Sequence, residues 1–514
     1  MEYSKGFGKY YLGTSYPIER GLTPPRALHL QAINWGAPIV ELQGAAGEVG
    51  KTGREVIKEL AKANEIKLTW HAPPTEQYEL AYPNERVNEQ AKILLKEGIK
   101  YAKEIGAEVI NLHPTNILSR PGPDTIYLWQ NHYNEPIAYR IPEYEKGKPI
   151  KELIEEREKR IKSEIVQAIE FHDEWAERYR KNAENFELIA NALKSWDTAL
   201  PIEKETAKMK AMELGYPPEA VENPELRKKI LENVERLRDT YRKRFEAEKN
   251  YVLRWAEQFS PFLEKRKLPG IDMEIGTEKP KRMIEPLYSK VIENFAKNFA
   301  EVAEEAIKNK IKIAIENTDS RFMFSTPQEL KDLLEAVYRE LEKRGIKRDE
   351  AKKYVGTTFD FGHAATLKHL RIRVVDPKTL EEREVRIRTP VEYAEKLEEL
   401  GVPIIHVHAH ENFGDIDAHL PLGEAFPEEV RKKLMEFLEK KGFKGKIIFE
   451  PGPIGGLGYA ISLRATAPEL YHVYGIPTEI LGGPSYHATD IIVDPLHIKK
   501  EKAYFYGSWV GDLF

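Results

Sequence analysis

Cysteine is missing from all 514 residues. Its absence excludes disulfide frameworks, thiolate zinc fingers, iron–sulfur clusters and cysteine nucleophiles together, so any bound metal must be held by nitrogen and oxygen. Also missing is any run of about 18 apolar residues. The start, MEYSKGFGKYYLGTSY, has no basic region leading into an apolar one. A cytoplasmic chain with no membrane partner is expected from that. An excess of positive charge is lacking as well: the formal net charge is -5, so a polyanion would have to be met by a local basic patch. No serine elbow stands out, nor a glycine-rich phosphate loop at a strand–helix junction, which leaves serine-nucleophile and nucleotide-cofactor chemistry without support.

What is present is a large apolar fraction, 41%, enough for one sizeable core plus an elaboration. Charged residues reach 32%, rich in Lys and Glu, a composition that fits a thermophilic protein. Short β-branched runs alternate with amphipathic helical patterns, the mark of a parallel sheet with crossover helices. Strands are predicted near Tyr10 to Gly13, Pro38 to Leu42, Ile66 to Trp70, Glu108 to Leu112, Lys312 to Ile315, Gly356 to Phe359, Pro403 to Val407 and Lys446 to Phe449. Eight such units predict an α/β (β/α)8 TIM barrel.

Two segments interrupt the alternation. After the fourth strand the pattern is suspended for far longer than an ordinary loop, so 117–285 is expected to be a helical insertion. Its stripes Ile150, Leu153, Ile154, Ile161, Ile165, Ile169 and Leu226, Ile230, Val234, Leu237, Tyr241, Phe245 predict two long antiparallel helices. Phe171, Trp175 and Tyr179 are read as continuing the first stripe into core or interface. A lid, a dimerisation arm that makes a homo-oligomer and a nucleic-acid clamp are the competing uses of this insertion. The second interruption follows the sixth strand, where LRIRVV and REVRIR flank DPKT and predict a basic β-hairpin. The barrel is therefore assigned to 1–116 and 286–455, and 456–514 to a C-terminal extension.

The C-terminal ends of the barrel strands are where such a fold builds its site. They carry TWHAP with His71, NLHP with His113, IENTD with Glu316 and FDFGHA with Asp360 and His363. HVHAHENFGDIDAHLPLGE follows with His406, His408, His410, Asp417 and His419, and FEPGP with Glu450. One histidine or acid at a strand end is ordinarily structural. Six consecutive strands delivering them is different, because so many carboxylates and imidazoles at one rim need a cation to balance them. The donor set suits Zn2+, with Mn2+ or Fe2+ open, and more than one ion.

The order of these motifs resembles the endonuclease IV and xylose isomerase-like barrel superfamily, the AP endonuclease family 2. By that resemblance His71, His113 and Glu316 would hold one ion, with Glu316 bridging to a second on Asp360, His408 and Glu450. His363, Asp417 and His419 would hold a third. The resemblance to endonuclease IV implies a nuclease-like, metal-dependent hydrolase of DNA repair type, in which metal-activated hydroxide attacks a phosphodiester in DNA or another nucleic acid. Glu316, Glu450 and Asp360 would be catalytic, and Arg371, Arg373, Arg386 and Arg388 of the hairpin would bind substrate. The alternative is a sugar isomerase or epimerase, whose relatives resemble only Glu316, Asp360, His408 and Glu450, and which LPLGE also resembles. A non-catalytic scaffold is a third reading, whose mark would be lost ligands.

Overall fold

A computed structural model describes residues 11–16, 24–28, 37–82, 84–120, 125–375, 381–413, 416–441, 443–450, 459, 461, 462 and 465. Eight parallel strands close into a barrel: β1 (Tyr11–Tyr16), β2 (Ile39–Gln43), β3 (Lys67–His71), β4 (Ala107–Leu112), β5 (Lys312–Glu316), β6 (Val355–Asp360), β7 (Ile404–Ala409) and β8 (Lys446–Phe449). They lie in chain order, and β8 closes on β1 with Tyr11 beside Lys446 and Gly13 beside Ile448. Each predicted strand is present, displaced by at most a few residues at its ends. The chain forms two compact units, one of residues 1–120, 290–374 and 383–514 that contains the barrel, the other of 121–289 and 375–382. The C-terminal extension lies almost wholly outside the described residues.

Barrel strands alternate between an outer side that packs on helices and an inner side that faces the axis. On β3 the outward Trp70 fits against Gly98 of the helix Glu85–Ile105, where an added Cβ would come within 2.2 Å of its ring. The same helix starts at Asn84, whose side chain accepts from the Arg86 and Val87 amides, and stops at Gly106 in the left-handed region, the expected capping chemistry. On β6 the outward Phe359 stacks on Tyr393 at 5.6 Å. Leu330, Leu333, Leu334, Val337 and Leu341 of the helix Pro327–Lys343 are all buried. Each such side chain contributes about 1.5–3 kcal/mol by leaving water.

The inner side is polar. Glu41, Thr69, Asn111, Thr358, His406 and His408 are all buried and bonded to one another. Thr69 Oγ1 donates to Glu41 Oε2 at 2.8 Å, Thr358 Oγ1 donates to Asn111 Oδ1 at 2.5 Å, and Asn111 Nδ2 donates to Glu316 Oε2. Apolar layers usually fill such barrels. Here a hydrogen-bonded layer occupies the axis beneath the strand ends.

The second unit pairs the helices Ile150–Lys194 and Pro224–Phe259. Lys194 meets Glu235 and Glu187 meets Arg238, while His172 meets Glu248, so one helix number falls as the other rises and the pair is antiparallel. Ile165, Ile169, Val252, Ala256 and Phe259 fill one core, and Phe186, Ile189, Leu193, Ile230 and Val234 another. The unit is not purely helical, however. Thr125–Gln130 pairs with Glu135–Arg140 and with Ile284–Pro286, and Arg266–Leu268 pairs with Met273–Ile275. Phe171, 56% exposed, is not part of the core of this unit. It lies two positions beyond Ile169, which on a helix turns it away from the packed stripe. Among the described residues no helix is long and apolar enough to cross a membrane.

Candidate metal centre

Local folding fixes each rim residue at a strand end. Asp360 closes β6 and its Oδ1 accepts from the His363 amide at 2.6 Å, so the same carboxylate caps the short helix Phe361–Ala365 that carries His363. Asn412 holds the turn beyond β7: its Oδ1 accepts from the Ala418 amide at 2.7 Å and the His419 amide at 3.2 Å. That turn sets Asp417 and His419 over the rim, with His419 at φ 45°, a conformation uncommon for a side-chain-bearing residue. Gly362 gives room for His410, since a Cβ there would lie 2.0 Å from the imidazole.

Among the described residues five donor groups have one ligand atom per residue within 4.8 Å of the others, and three of them make up the rim: His71, His113 and Glu316; Glu316, Asp360, His408 and Glu450; and His363, His410, Asp417 and His419; the other two, His71 with His408 and Glu450 and Glu41 with His406 and His408, share His408. Glu316 Oε2 is 3.3 Å from Nε2 of both His71 and His113, and its Oε1 is 3.0 Å from His408 Nδ1. His408 Nδ1 also lies 3.3 Å from Glu450 Oε2. Asp417 Oδ2 is 3.2 Å from His363 Nε2 and 3.3 Å from His419 Nε2. The middle group is deeply buried, whereas the side chains of His113, Asp417 and His419 keep some exposure and face the mouth.

Charge explains the protonation of this array. Burial alone would raise Glu316, yet His408 and His113 hold its carboxyl well below the usual range. Glu450 is opposed by burial and by Glu316 but drawn down to about 2 mainly by His408. Burial lowers His363 and His408, but Asp360 and Asp417 around the first, and Glu316, Glu450 and Glu41 around the second, hold both rings well above their ordinary value.

All nine rim residues named from the sequence are brought together. Arg371, Arg386 and Arg388 are exposed, Arg371 lies 3.9 Å from Glu384, and the Arg373 side chain is outside the described residues. Three participants escaped the ligand set read from sequence. His410 stands 3.2 Å from both Asp360 Oδ2 and Asp417 Oδ1. Glu41 of β2 touches His406 and His408, and Asn111 donates to Glu316. A lone carboxylate within IVELQ and a lone amide within EVINL were the available signals.

Two histidine rings are already turned for coordination. His71 Nδ1 donates to the Ala72 carbonyl at 2.7 Å and His363 Nδ1 to the Asn317 carbonyl at 2.7 Å, which leaves each Nε2 turned toward a carboxylate. Such outer bonds orient metal-binding imidazoles. Asp360 Oδ2 is buried with no aligned donor, as a cation site would leave it. The residues therefore fit divalent metal.

Over 164 residues the chain is 30% identical to the uncharacterized protein MJ1311 of Methanocaldococcus jannaschii, a match covering 32% of this chain and 44% of that protein. The chain thus spans under half the length of that relative. Among solved structures it is similar to a D-tagatose 3-epimerase-like protein, at 17% identity and TM-score 0.43, over 92% of this chain and 98% of the other. Similarity to the D-psicose 3-epimerase of Clostridium cellulolyticum H10 is at 10% identity and TM-score 0.38, over 92% and 95%. The model of the xylose isomerase-like TIM barrel family matches residues 31–140 and 259–465, and the chain belongs to that family.

Proposed function

We propose that this chain is a metal-dependent isomerase or epimerase acting on a small polyhydroxylated substrate such as a sugar. The observation that carries the reading is the enclosed group of Glu316, Asp360, His408 and Glu450, which places two carboxylates on one imidazole nitrogen, at 3.0 and 3.3 Å from His408 Nδ1. A divalent cation held there would supply Lewis acidity toward a carbonyl and a neighbouring hydroxyl. Glu316 and Glu450, kept ionised by His408, are the groups that can take a proton from a substrate carbon and return one. Gln43, whose Nε2 donates to Glu450 Oε1 at 3.5 Å, steadies the second of them.

One observation favours the second reading, a nuclease-like phosphodiester hydrolase. The groups of His71 with His113 and of His363 with His410, Asp417 and His419 exceed what a single-ion isomerase needs, and several ions suit phosphodiester hydrolysis. Metal content separates the two. About one ion per chain, with deuterium from solvent appearing at a substrate carbon when ketoses and aldoses are surveyed, is expected. About three ions, with cleavage of abasic DNA or a phosphodiester and no exchange, would overturn the isomerase reading in favour of the other. Glu316→Gln should abolish turnover under either while leaving the fold intact.

A further inference from the structure

We infer that Glu41 is the positioning residue of the metal centre, turning His408 so that Nδ1 faces the carboxylates; the inference rests on the metal-dependent reading above. Glu41 leaves β2 on the inner side of the barrel and is completely buried, as are His406 and His408. Its two oxygens are divided. Oε2 accepts from Thr69 Oγ1 at 2.8 Å and from His406 Nε2 at 2.9 Å. Oε1 lies 2.8 Å from His408 Nε2. Neither of these last two atoms has an aligned hydrogen-bond partner among the described residues, so at full burial each is the polar neighbour available to the other.

The consequence follows from the ring. An imidazole has two nitrogens on opposite sides of one rigid ring, so the direction of one fixes that of the other. With Nε2 turned to Glu41, Nδ1 is the atom that faces Glu316 and Glu450. His71 and His363 are oriented in the opposite sense, by backbone carbonyls on Nδ1. His408 lies within β7 itself. A carboxylate from β2, anchored by Thr69 of β3, takes that place. Outer-shell partners of this kind change metal affinity by about 10- to 100-fold.

The test is Zn2+ affinity by chelator competition on the full chain, with Glu41→Gln, Thr69→Val and Tyr338→Phe beside wild type. Tyr338 donates to the Val355 carbonyl at the start of β6, at 2.9 Å and away from the cluster, so its variant reports destabilisation alone. The expected result is about 10- to 100-fold weaker binding in Glu41→Gln, a smaller loss in Thr69→Val and wild-type affinity in Tyr338→Phe. Folded Glu41→Gln that binds as tightly as wild type overturns the inference. So does Tyr338→Phe that loses as much affinity as Glu41→Gln. Should Glu41→Gln not fold, unchanged affinity in Thr69→Val overturns it and a loss supports it. Wild type that takes up no metal overturns the proposed centre as well, which distinguishes the two failures.

Discussion

Asn317 clasps Asp360 with both ends of its amide: Oδ1 accepts from the Asp360 amide at 2.8 Å and Nδ2 donates to the Asp360 carbonyl at 3.1 Å. Through its own carbonyl Asn317 also receives His363 Nδ1 at 2.7 Å. One residue just past β5 thereby sets the end of β6, on which two groups of ligand atoms depend. Asn317→Ala should cost about 2–3 kcal/mol, because it leaves two buried backbone groups unpaired. Urea unfolding checks the stability, and metal retained after dialysis should fall in step with the loss of order at Asp360.

Gly362→Ala adds the atom that would lie 2.0 Å from the His410 ring. The imidazole must move, which displaces its contacts to Asp360 and Asp417. We expect at least tenfold weaker metal binding in chelator competition, with a melting temperature little changed. Unaltered binding would show that His410 takes no part.

Metal uptake should release protons. Asp360 and Asp417 outweigh burial to hold His363 well above its ordinary value, and Glu316 with Glu450 and Glu41 does the same for His408. Rings that keep their protons at neutral pH must lose them on coordination. Affinity should therefore rise with pH, by roughly tenfold per unit for each proton displaced. Calorimetric titrations in two buffers of different ionisation enthalpy count the protons, and identical heats would contradict the expectation.

Away from the centre, Glu301 joins the helix Leu287–Lys308 to Lys92 and Lys96 of Glu85–Ile105. The Lys96 hydrogen bond, opposed by burial and aided by Lys92, draws Glu301 from 4.5 to about 2. A lowered carboxyl stabilises the fold above its unfolded value and loses that contribution as pH falls from 4.5 toward 2. Because the pair is partly solvated, about 1 kcal/mol is at stake. The stability gap between wild type and Glu301→Gln should be near that value at pH 7 and shrink below pH 4.5, as paired urea melts would record.

Much of this was legible in the sequence. The strands stood out because a buried parallel strand is a short β-branched run between amphipathic helices, as in KIAIE before IENTD. The rim ligands stood out because acids and histidines followed those runs. Glu41, Thr69 and Asn111 did not, since a polar residue inside a strand reads as solvent-facing unless the interior is known to be polar. Short pairs such as Arg266–Leu268 with Met273–Ile275 were hidden for another reason: three residues are too few to show a period.

By itself the sequence determined the strand count, the helical stripes and which side chains reach the barrel rim, because hydrophobic periodicity and strand ends are local properties of the chain. Only the tertiary structure decided which atoms meet. His71 and Glu450, or Glu41 and His408, are far apart in sequence, and barrel closure alone sets which ring nitrogen faces which carboxylate.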